Sequence, residues 1–333
     1  MTGKAVLPDV VGTSDALSDF PFLDAYLAPF SEMLVQPDVT DIYVNRPGEI
    51  WVERLGGAIA RQEVPSLTEA GLWRLARQIA SLSHQGINRE HPLLSARLPD
   101  GSRVQIVAPP ATRGPLVMAI RRHLSLDMTL DDYVSSGAFD FSPLDEPKNP
   151  SSKDSPLTLL RQAVKARKTI LISGGTSTGK TTFLNALMRE IPVDERLILI
   201  EDTPELALRH SNAIGLVAVK GELGEAKVDT DDLLQASLRM RPDRIILGEI
   251  RGREAYTFLR AINTGHPGSM TTIHADSPAK AIEQMALIML QSGTSLRRED
   301  IAHYIRATVD LFIQLERRAG QRVIRAIADK DNL

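Results

Sequence analysis

Residues 174–181 read GGTSTGKT: a glycine, four residues, a second glycine, a lysine and a threonine. This is the pattern of a phosphate-binding loop. Before it, residues 168–173 (KTILIS) form a short apolar run typical of a buried strand, and after it, residues 182–188 (TFLNALM) carry apolar side chains at helical spacing. A glycine-rich loop between a strand and a helix directs backbone N–H groups toward an anion. The alternative is a glycine-rich turn that matches the pattern by chance, and such a turn would need neither the strand before it nor the helix after it.

The residue types within the loop suit a nucleotide polyphosphate. Gly179 allows the backbone to approach the phosphates, Lys180 can pair with β- and γ-phosphate oxygens, and the Thr181 hydroxyl can bind Mg²⁺. We therefore expect ATP and Mg²⁺ as ligands. The predicted nucleotide-binding residues are Gly174, Gly175, Thr176, Ser177, Thr178, Gly179, Lys180, Thr181 and Thr182.

The composition excludes several classes of protein. The 333 residues are 43% hydrophobic and 24% charged, which is ordinary for a soluble globular protein of two domains. There is no cysteine, so disulfides and thiolate metal sites are excluded. A net charge of −3 offers no bulk attraction for nucleic acid, and we expect no sequence-specific nucleic-acid binding. No apolar run approaches the roughly 20 residues of a membrane span, and the N-terminus is a poor signal peptide, so a cytoplasmic location is expected.

Residues 135–156 (SSGAFDFSPLDEPKNPSSKDSP) divide the chain, because they contain four prolines and show neither helical nor strand periodicity. We predict an N-terminal domain at 1–135, a linker at 136–156 and a C-terminal domain at 157–333. The first domain is predicted to be mixed α/β, with helices at 20–34 and 68–83 and strands at 40–44, 49–53, 58–64, 103–107 and 116–121. The apolar stripe of helix 20–34 either packs on its own domain or contacts a membrane or a partner.

The second domain alternates strand and helix. Strands are predicted at 169–173, 196–201, 244–247 and 270–273, and helices at 181–190, 231–240 and 254–263. This order predicts a parallel sheet covered on both faces, with nucleotide bound at the carboxyl ends of its strands.

Two carboxylates follow strands of this sheet. Glu201 ends the run at 197–200, and Glu249 follows the run at 245–248. Such a residue can hold Mg²⁺ through water or orient the attacking water. A carboxylate is also well solvated at any strand end, and the sequence leaves open which of the two carries the role.

Histidines and arginines supply further candidates. His274 and His266 flank a predicted strand, where an imidazole can sense a γ-phosphate or can serve as a hydrogen-bonded structural residue. Zinc is disfavoured because no further ligands stand at metal-like spacing. Arginines of the first domain can stabilise charge on the γ-phosphate or form surface ion pairs. Strand alternation separates Arg121 from Arg122 and favours Arg103 with Arg122 as the contacting pair. Arg239 and Arg241 share this ambiguity.

These motifs, in this order, resemble those of the hexameric secretion-superfamily ATPases, most closely the traffic ATPases of type IV secretion systems (the VirB eleventh-component family). The matching segments are the loop at 174–182, LIEDTPEL at 199–206, RPDRIILGEIRG at 241–252 and a histidine box at 265–278, with the arginine strands DGSRVQ at 100–105 and IRR at 120–122. One difference is Ser177-Thr178, where the family usually has Gly-Ser. We expect this to alter the flexibility of the loop and not to abolish binding.

The resemblance implies a RecA-like C-terminal domain that holds nucleotide against the N-terminal domain. Together with the residues themselves, it assigns catalytic roles to Glu249, Glu201, His274, Arg103 and Arg122, and Mg²⁺ to Thr181 with Glu201 or Glu249 through water. It implies a homohexamer at the inner face of the cytoplasmic membrane, peripherally bound, which works with other secretion ATPases and inner-membrane channel components.

Three functions are compatible with the sequence. The expected one is an ATPase whose hydrolysis changes the conformation of a ring and powers type IV secretion. A motor for pilus assembly, pilus retraction or conjugative transfer is a close alternative, and a nucleotide-gated interaction scaffold is an alternative of another class. The absence of cysteine argues against the type II branch, whose members often carry a paired-cysteine zinc insert.

Overall fold

The computed structural model describes residues 21–55, 57–83, 85–122, 128–139, 155–219, 228–318, 321–330 and 333. Two compact units comprise Met1–Leu124 with Lys220–Lys227, and Ser125–Val219 with Val228–Leu333. The division therefore falls earlier than the predicted end of the first domain at residue 135. The reason is that Leu130 and Tyr133 are buried in the core of the second unit. Most of the predicted linker, 140–154, lies outside the described residues.

The first unit contains a six-stranded antiparallel sheet in the order β3-β2-β1-β6-β5-β4. Its strands are β1 (Val39–Val44), β2 (Glu49–Arg54), β3 (Ile59–Glu63), β4 (Leu93–Arg97), β5 (Arg103–Val107) and β6 (Val117–Arg121). Its helices are α1 (Pro21–Leu27), α2 (Ser31–Val35) and α3 (Glu69–Leu82). The single helix predicted at 20–34 is interrupted by a 3₁₀ turn at Ala28–Phe30, which contains Pro29, a residue that cannot donate a helical hydrogen bond.

The two edge strands of this sheet are β3 and β4. All five residues of β3 are exposed. Strand β4 was not predicted, because Leu94 is its only fully buried residue and gives no clear alternation.

The second unit is built on a seven-stranded sheet in the order β13-β12-β7-β11-β10-β8-β9. All neighbouring strands are parallel except the hairpin of β12 and β13. The strands are β7 (Ile170–Gly174), β8 (Leu197–Glu201), β9 (Ala213–Val217), β10 (Arg244–Leu247), β11 (Met270–Ile273), β12 (Leu311–Arg318) and β13 (Gln321–Asp329). The predicted α/β class with a parallel sheet is confirmed. Strands β9, β12 and β13 were not predicted.

Helices cover both faces of this sheet. Alternate residues of a strand join different apolar clusters: Leu197 and Leu199 pack on one face, and Ile198 and Ile200 on the other. The helices are α4 (Leu130–Ser135), α5 (Pro156–Lys165), α6 (Lys180–Met188), α7 (Thr230–Ser237), α8 (Glu254–Asn263), α9 (Pro278–Gln291) and α10 (Arg298–Thr308). Among the described residues, no helix combines the length and apolar character needed to cross a membrane.

A buried ion pair lies at the amino end of β10. Arg244 is fully buried, and its Nε and Nη2 donate to the two carboxylate oxygens of Glu195 at 2.7 and 2.8 Å. Its Nη1 donates to the Val164 carbonyl at 2.8 Å. Gly268 has φ +81°, and a Cβ there would lie 2.7 Å from Nη1. The fold is therefore shaped around a fully paired guanidinium.

Candidate active site

The predicted phosphate loop connects β7 to α6 and needs glycine at two positions. A Cβ at Gly174 would lie 2.5 Å from Thr178 Oγ1 and 3.0 Å from the Leu315 carbonyl oxygen. Gly179 precedes the first residue of α6 with φ +90°, and a Cβ there would lie 2.9 Å from Arg322 Cδ. A side chain at either position would fill the cradle, so the loop keeps its backbone accessible to a ligand.

Ser177 takes a backbone conformation that disfavours side chains. Its φ is +62°, in the left-handed region. Glycine would take this conformation without strain. The next residue, Thr178, is buried and donates from Oγ1 to the Gly175 carbonyl at 2.9 Å. The loop is therefore held by an internal hydrogen bond next to a strained residue.

Lys180 is buried at the start of α6. Its Nζ donates to the carbonyls of Gly174 and Gly175 at 3.0 and 3.1 Å, and it lies 3.2 Å from His274 Nδ1. The pKa of Lys180 is lowered to about 8, chiefly by burial; Glu249 opposes this shift and the nearby Arg251 cation adds to it. A second negative charge at this point would raise the pKa of the ammonium group again.

Glu249 lies beside this lysine. Its Oε1 is 2.8 Å from His274 Nε2 and 4.0 Å from Lys180 Nζ, although the contact with His274 is not aligned as a hydrogen bond. Its Oε2 accepts from Arg251 Nε at 2.5 Å. The carboxyl ends of β10 and β11 therefore bring Glu249 and His274 to the phosphate loop, as the strand order predicted.

Glu201 has different surroundings, although it also ends a strand of the sheet. It is buried, and its Oε1 accepts from the backbone N–H groups of Glu205 and Leu206 at 2.7 and 2.8 Å. These two bonds hold the segment that follows β8. The structure thus gives one of the two candidate carboxylates, Glu249, direct proximity to Lys180.

The two candidate histidines, His274 and His266, also differ in their contacts. His274 is half-exposed, and its pKa is lowered chiefly by burial, with contributions from Lys180 and Arg251 that Glu249 opposes. His266 has its Nδ1 3.1 Å from the Pro242 carbonyl, and its own carbonyl accepts from Ser269 Oγ at 2.8 Å. His266 therefore has the contacts of a structural residue, and His274 those of a site residue.

A cavity of about 580 Å³ opens at the loop, lined in part by Gly175, Thr176 and His274. Thr176 and Ser177 are exposed, so the tip of the loop is accessible from solvent. A cavity of this volume is within the range of small-ligand sites.

In the first unit, the sheet register does not place Arg103 beside Arg122, the pair that strand alternation favoured. Arg103 pairs across the strands with Arg121 on one side and Arg97 on the other. Arg121 Nε donates to Asp41 at 2.8 Å. Arg122 follows β6, and its Nη1 donates to the carbonyls of Gln36 and Val39. The sheet therefore sets Arg103 beside Arg121, while Arg122 is engaged by the backbone of its own unit.

Sequence reasoning assigned no role to Arg251, which is the principal partner of Glu249. It stands two residues after Glu249 in a turn, and no periodicity marks such a position. The signal available was its place within the segment RPDRIILGEIRG at 241–252.

The family model described as "Type II/IV secretion system protein" matches residues 25–331. The chain belongs to this family. It is 38% identical over 318 residues to the type IV secretion system protein VirB11 of Bartonella henselae, covering 89% of each chain. It is also 38% identical over 322 residues to the type IV secretion system protein PtlH of Bordetella pertussis, covering 92% of this chain and 94% of that protein. The family predicted from the motifs is confirmed.

A solved structure with the same fold is that of the pilus retraction motor PilT with bound ADP. The TM-score is 0.58 at 21% sequence identity, and the alignment covers 92% of this chain and 81% of that one. This likeness supports the predicted two-domain P-loop architecture.

Proposed function

We propose that this chain couples Mg²⁺-dependent hydrolysis of ATP to conformational change in a homohexameric ring that powers type IV secretion. Membership of the family makes it a secretion-system ATPase. The proposal adds the metal, the ring, the coupling and the roles of individual residues. The observation that carries it is the position of Glu249, 4.0 Å from Lys180 and 2.8 Å from His274 beside a glycine-lined phosphate loop.

In this proposal, the loop residues Gly174–Thr182 cradle the phosphates through backbone N–H groups. Lys180 exchanges the carbonyls of Gly174 and Gly175 for phosphate oxygens when ATP binds. Glu249 orients the attacking water and accepts its proton. His274 lies between the lysine and the carboxylate, where an imidazole can respond to the γ-phosphate and to its loss.

The residues at the site fit Mg²⁺. The candidate ligands are the Thr181 hydroxyl and the carboxylates of Glu201 and Glu249 through water, and magnesium prefers oxygen. Among the described residues, no three acidic or histidine side chains form a metal cage. Bound there, Mg²⁺ would neutralise charge on the phosphates.

The arginine contact to the γ-phosphate is proposed to come from the first unit. The register favours Arg103 with Arg121 as the pair, and Arg122 remains a candidate because a ligand could draw it from its backbone carbonyls. Alanine at the contacting arginine should weaken binding of a non-hydrolysable ATP analogue much more than binding of ADP, because ADP lacks the contacted group. Equal losses for the two nucleotides at all three positions would exclude γ-phosphate sensing by these arginines.

The cellular setting is also proposed. The ring would act peripherally at the inner face of the cytoplasmic membrane with other secretion ATPases and inner-membrane channel components. Light scattering of the purified protein with and without nucleotide tests the ring, since six subunits must be found in the active species.

The proposed function is tested with two matched variants, Glu249→Gln and Glu201→Gln. Removal of the water-orienting charge at Glu249 should lower steady-state ATP hydrolysis by about 10²-fold or more, with ATP still bound. Glu201→Gln should retain most activity, because an amide oxygen can still accept from Glu205 and Leu206.

Two other results would change the assignment. If Glu201→Gln stalls and Glu249→Gln turns over, the two carboxylates exchange roles. If the wild-type protein binds ATP but shows no turnover as a hexamer, a nucleotide-gated scaffold is the better description.

A further inference from the structure

The turn after β10 fixes the backbone of Arg251. The N–H groups of Arg251 and Gly252 both donate to Glu254 Oε1, at 2.6 and 2.8 Å. Glu254 is buried at the start of α8. The backbone from which the Arg251 side chain extends is therefore anchored by the Glu254 carboxylate.

The Arg251 guanidinium lies between two carboxylates that follow different strands, Glu249 after β10 and Asp202 after β8. Its Nε donates to Glu249 Oε2 at 2.5 Å, and its Nη2 contacts the same oxygen. Its Nη1 lies 3.4 Å from Asp202 Oδ2, and Asp202 in turn accepts from Thr230 Oγ1 at 2.8 Å through Oδ1. The planar guanidinium therefore spans from the end of β10 to the residue that follows β8.

This contact determines how the Glu249 carboxylate is turned. The terminal torsion of a glutamate is broad, so the plane of its carboxylate is set by its partners. Arg251 holds Oε2, and the opposite oxygen, Oε1, then faces His274 and Lys180. Without Arg251, Oε2 loses its hydrogen-bond donor and the carboxylate can rotate away from the loop.

We propose that Arg251 is a positioning residue that orients the Glu249 carboxylate for hydrolysis. The proposal rests on the role of Glu249 proposed above. Arg251 is 55% exposed in its side chain, and an exposed ion pair contributes little to folding stability. The contact therefore serves the orientation of Glu249 more than the stability of the fold.

The test is a double-mutant cycle of Arg251→Met with Glu249→Gln, read as kcat and KM for ATP. Arg251→Met should lower kcat about 10- to 100-fold, the range seen when a partner that orients a functional group is removed. KM and the affinity for ADP should stay within about twofold, because the phosphate loop and Lys180, which hold the nucleotide in the proposed function, are unchanged. In the Glu249→Gln background, Arg251→Met should cause no further loss, since the residue on which it acts is already disabled.

A matched control is available in the same turn. Arg253 is 70% exposed and its Nε lies 3.7 Å from Asp231, so Arg253→Met removes an equal charge without touching Glu249. It should leave kcat unchanged. Arg251→Lys should recover part of the lost kcat, because an ammonium can still pair with Oε2 but lacks the planar fork.

Several outcomes would overturn the inference while leaving the proposed function intact. These are an unchanged or raised kcat in Arg251→Met, an equal loss in Arg253→Met, or a further loss in the Glu249→Gln background. If Glu249→Gln itself hydrolyses ATP at the wild-type rate, the proposed role of Glu249 fails first. The two failures are therefore distinguishable.

Discussion

Strand β10 has a cluster of charged residues at each end, and the two clusters differ in how their charges are satisfied. At the amino end, Arg244 is fully buried and pairs with both carboxylate oxygens of Glu195. At the carboxyl end, Glu249 is shared by Arg251, His274 and Lys180, and the Arg251 side chain is 55% exposed.

The charged cluster at the amino end of β10 stabilises the fold, and the cluster after its carboxyl end belongs to the candidate active site. A buried charge that has its full set of partners stabilises one conformation and gives a ligand nothing to bind. The Glu249 carboxylate does not fully compensate the buried Lys180 ammonium, whose pKa is lowered chiefly by burial although Glu249 opposes the shift. Mutations should therefore affect stability at the amino end and activity at the carboxyl end.

The largest effect is expected for Arg244→Met. This change leaves Glu195 buried without its bidentate partner, and loss of one member of a buried pair costs about 3–5 kcal/mol. Urea unfolding should show this loss, while ATP hydrolysis per folded molecule stays near wild type. Arg297→Met, which removes an exposed pair with Asp300, should hardly change the unfolding midpoint, because solvent screens such a pair. A large loss of activity without loss of stability in Arg244→Met would contradict a purely structural role for the pair at the amino end of β10.

Lys180→Ala should have the next largest effect, and this effect should be on ATP hydrolysis and not on stability. Removing a charge that faces phosphates in a partly dehydrated site lowers hydrolysis by about 10²–10³-fold. The unfolding midpoint should not fall, because the Lys180 ammonium is an incompletely compensated buried charge. The control is Lys168→Ala, whose ammonium lies 3.6 Å from Asp310 and is about half exposed. Near wild-type hydrolysis in Lys180→Ala would show that this loop is not the nucleotide-binding site.

The pKa of Lys180 gives a pH dependence with a definite sign. Burial lowers it from 10.5 to about 8 in the free protein, and bound phosphates favour the charged form. Above pH 8, ATP must therefore bind together with a proton, and its affinity should fall by up to about tenfold per pH unit. Calorimetry in buffers of different ionisation enthalpy measures the proton uptake. The same group makes the free protein gain stability between pH 8 and 10.5, because there the unfolded chain binds more protons.

A pH-independent affinity from pH 7 to 10 would contradict the low pKa of Lys180. Lys180→Ala is the control, since its residual affinity should lose this dependence.

The smallest predicted effect is that of Ser177→Gly. Glycine takes φ +62° without strain, and relief of such strain contributes roughly 1 kcal/mol, reduced by the greater freedom of glycine in the unfolded chain. Arg241→Gly is the matched change, because Arg241 has φ +53° and lies outside the loop. Both variants should be similarly stable, and only Ser177→Gly should alter nucleotide affinity. If both alter it equally, the strain at Ser177 has no special connection to the ligand.

The sequence predicted the central parallel strands because buried strands such as 197–200 and 245–247 are continuous apolar runs. It missed the hairpin of β12 and β13, whose residues after Leu315 are largely charged: Glu316, Arg317 and Arg318 interrupt the apolar pattern. It also missed α9 and α10, although Ser277 caps α9 through its side chain and Pro278 begins it.

At the site, spacing placed Lys180, Glu249 and His274 correctly at one edge of the sheet. It could not distinguish Glu249 from Glu201, because both follow apolar strands. Only the fold shows that Glu201 accepts from the backbone of Glu205 and Leu206. The pairing of Arg103 with Arg121 likewise depends on strand register, which alternation within one strand does not specify.

The exposed edge strand β3 has a consequence for solubility. An open strand edge offers unpaired N–H and carbonyl groups to any other extended chain. In β3 the side chains of Arg61 and Glu63 stand on that edge, and Arg61 also pairs with Glu49 of the neighbouring strand. Any chain that added to this edge would have to desolvate these charges. The ion pair that holds β3 to its sheet therefore also discourages aggregation through this edge.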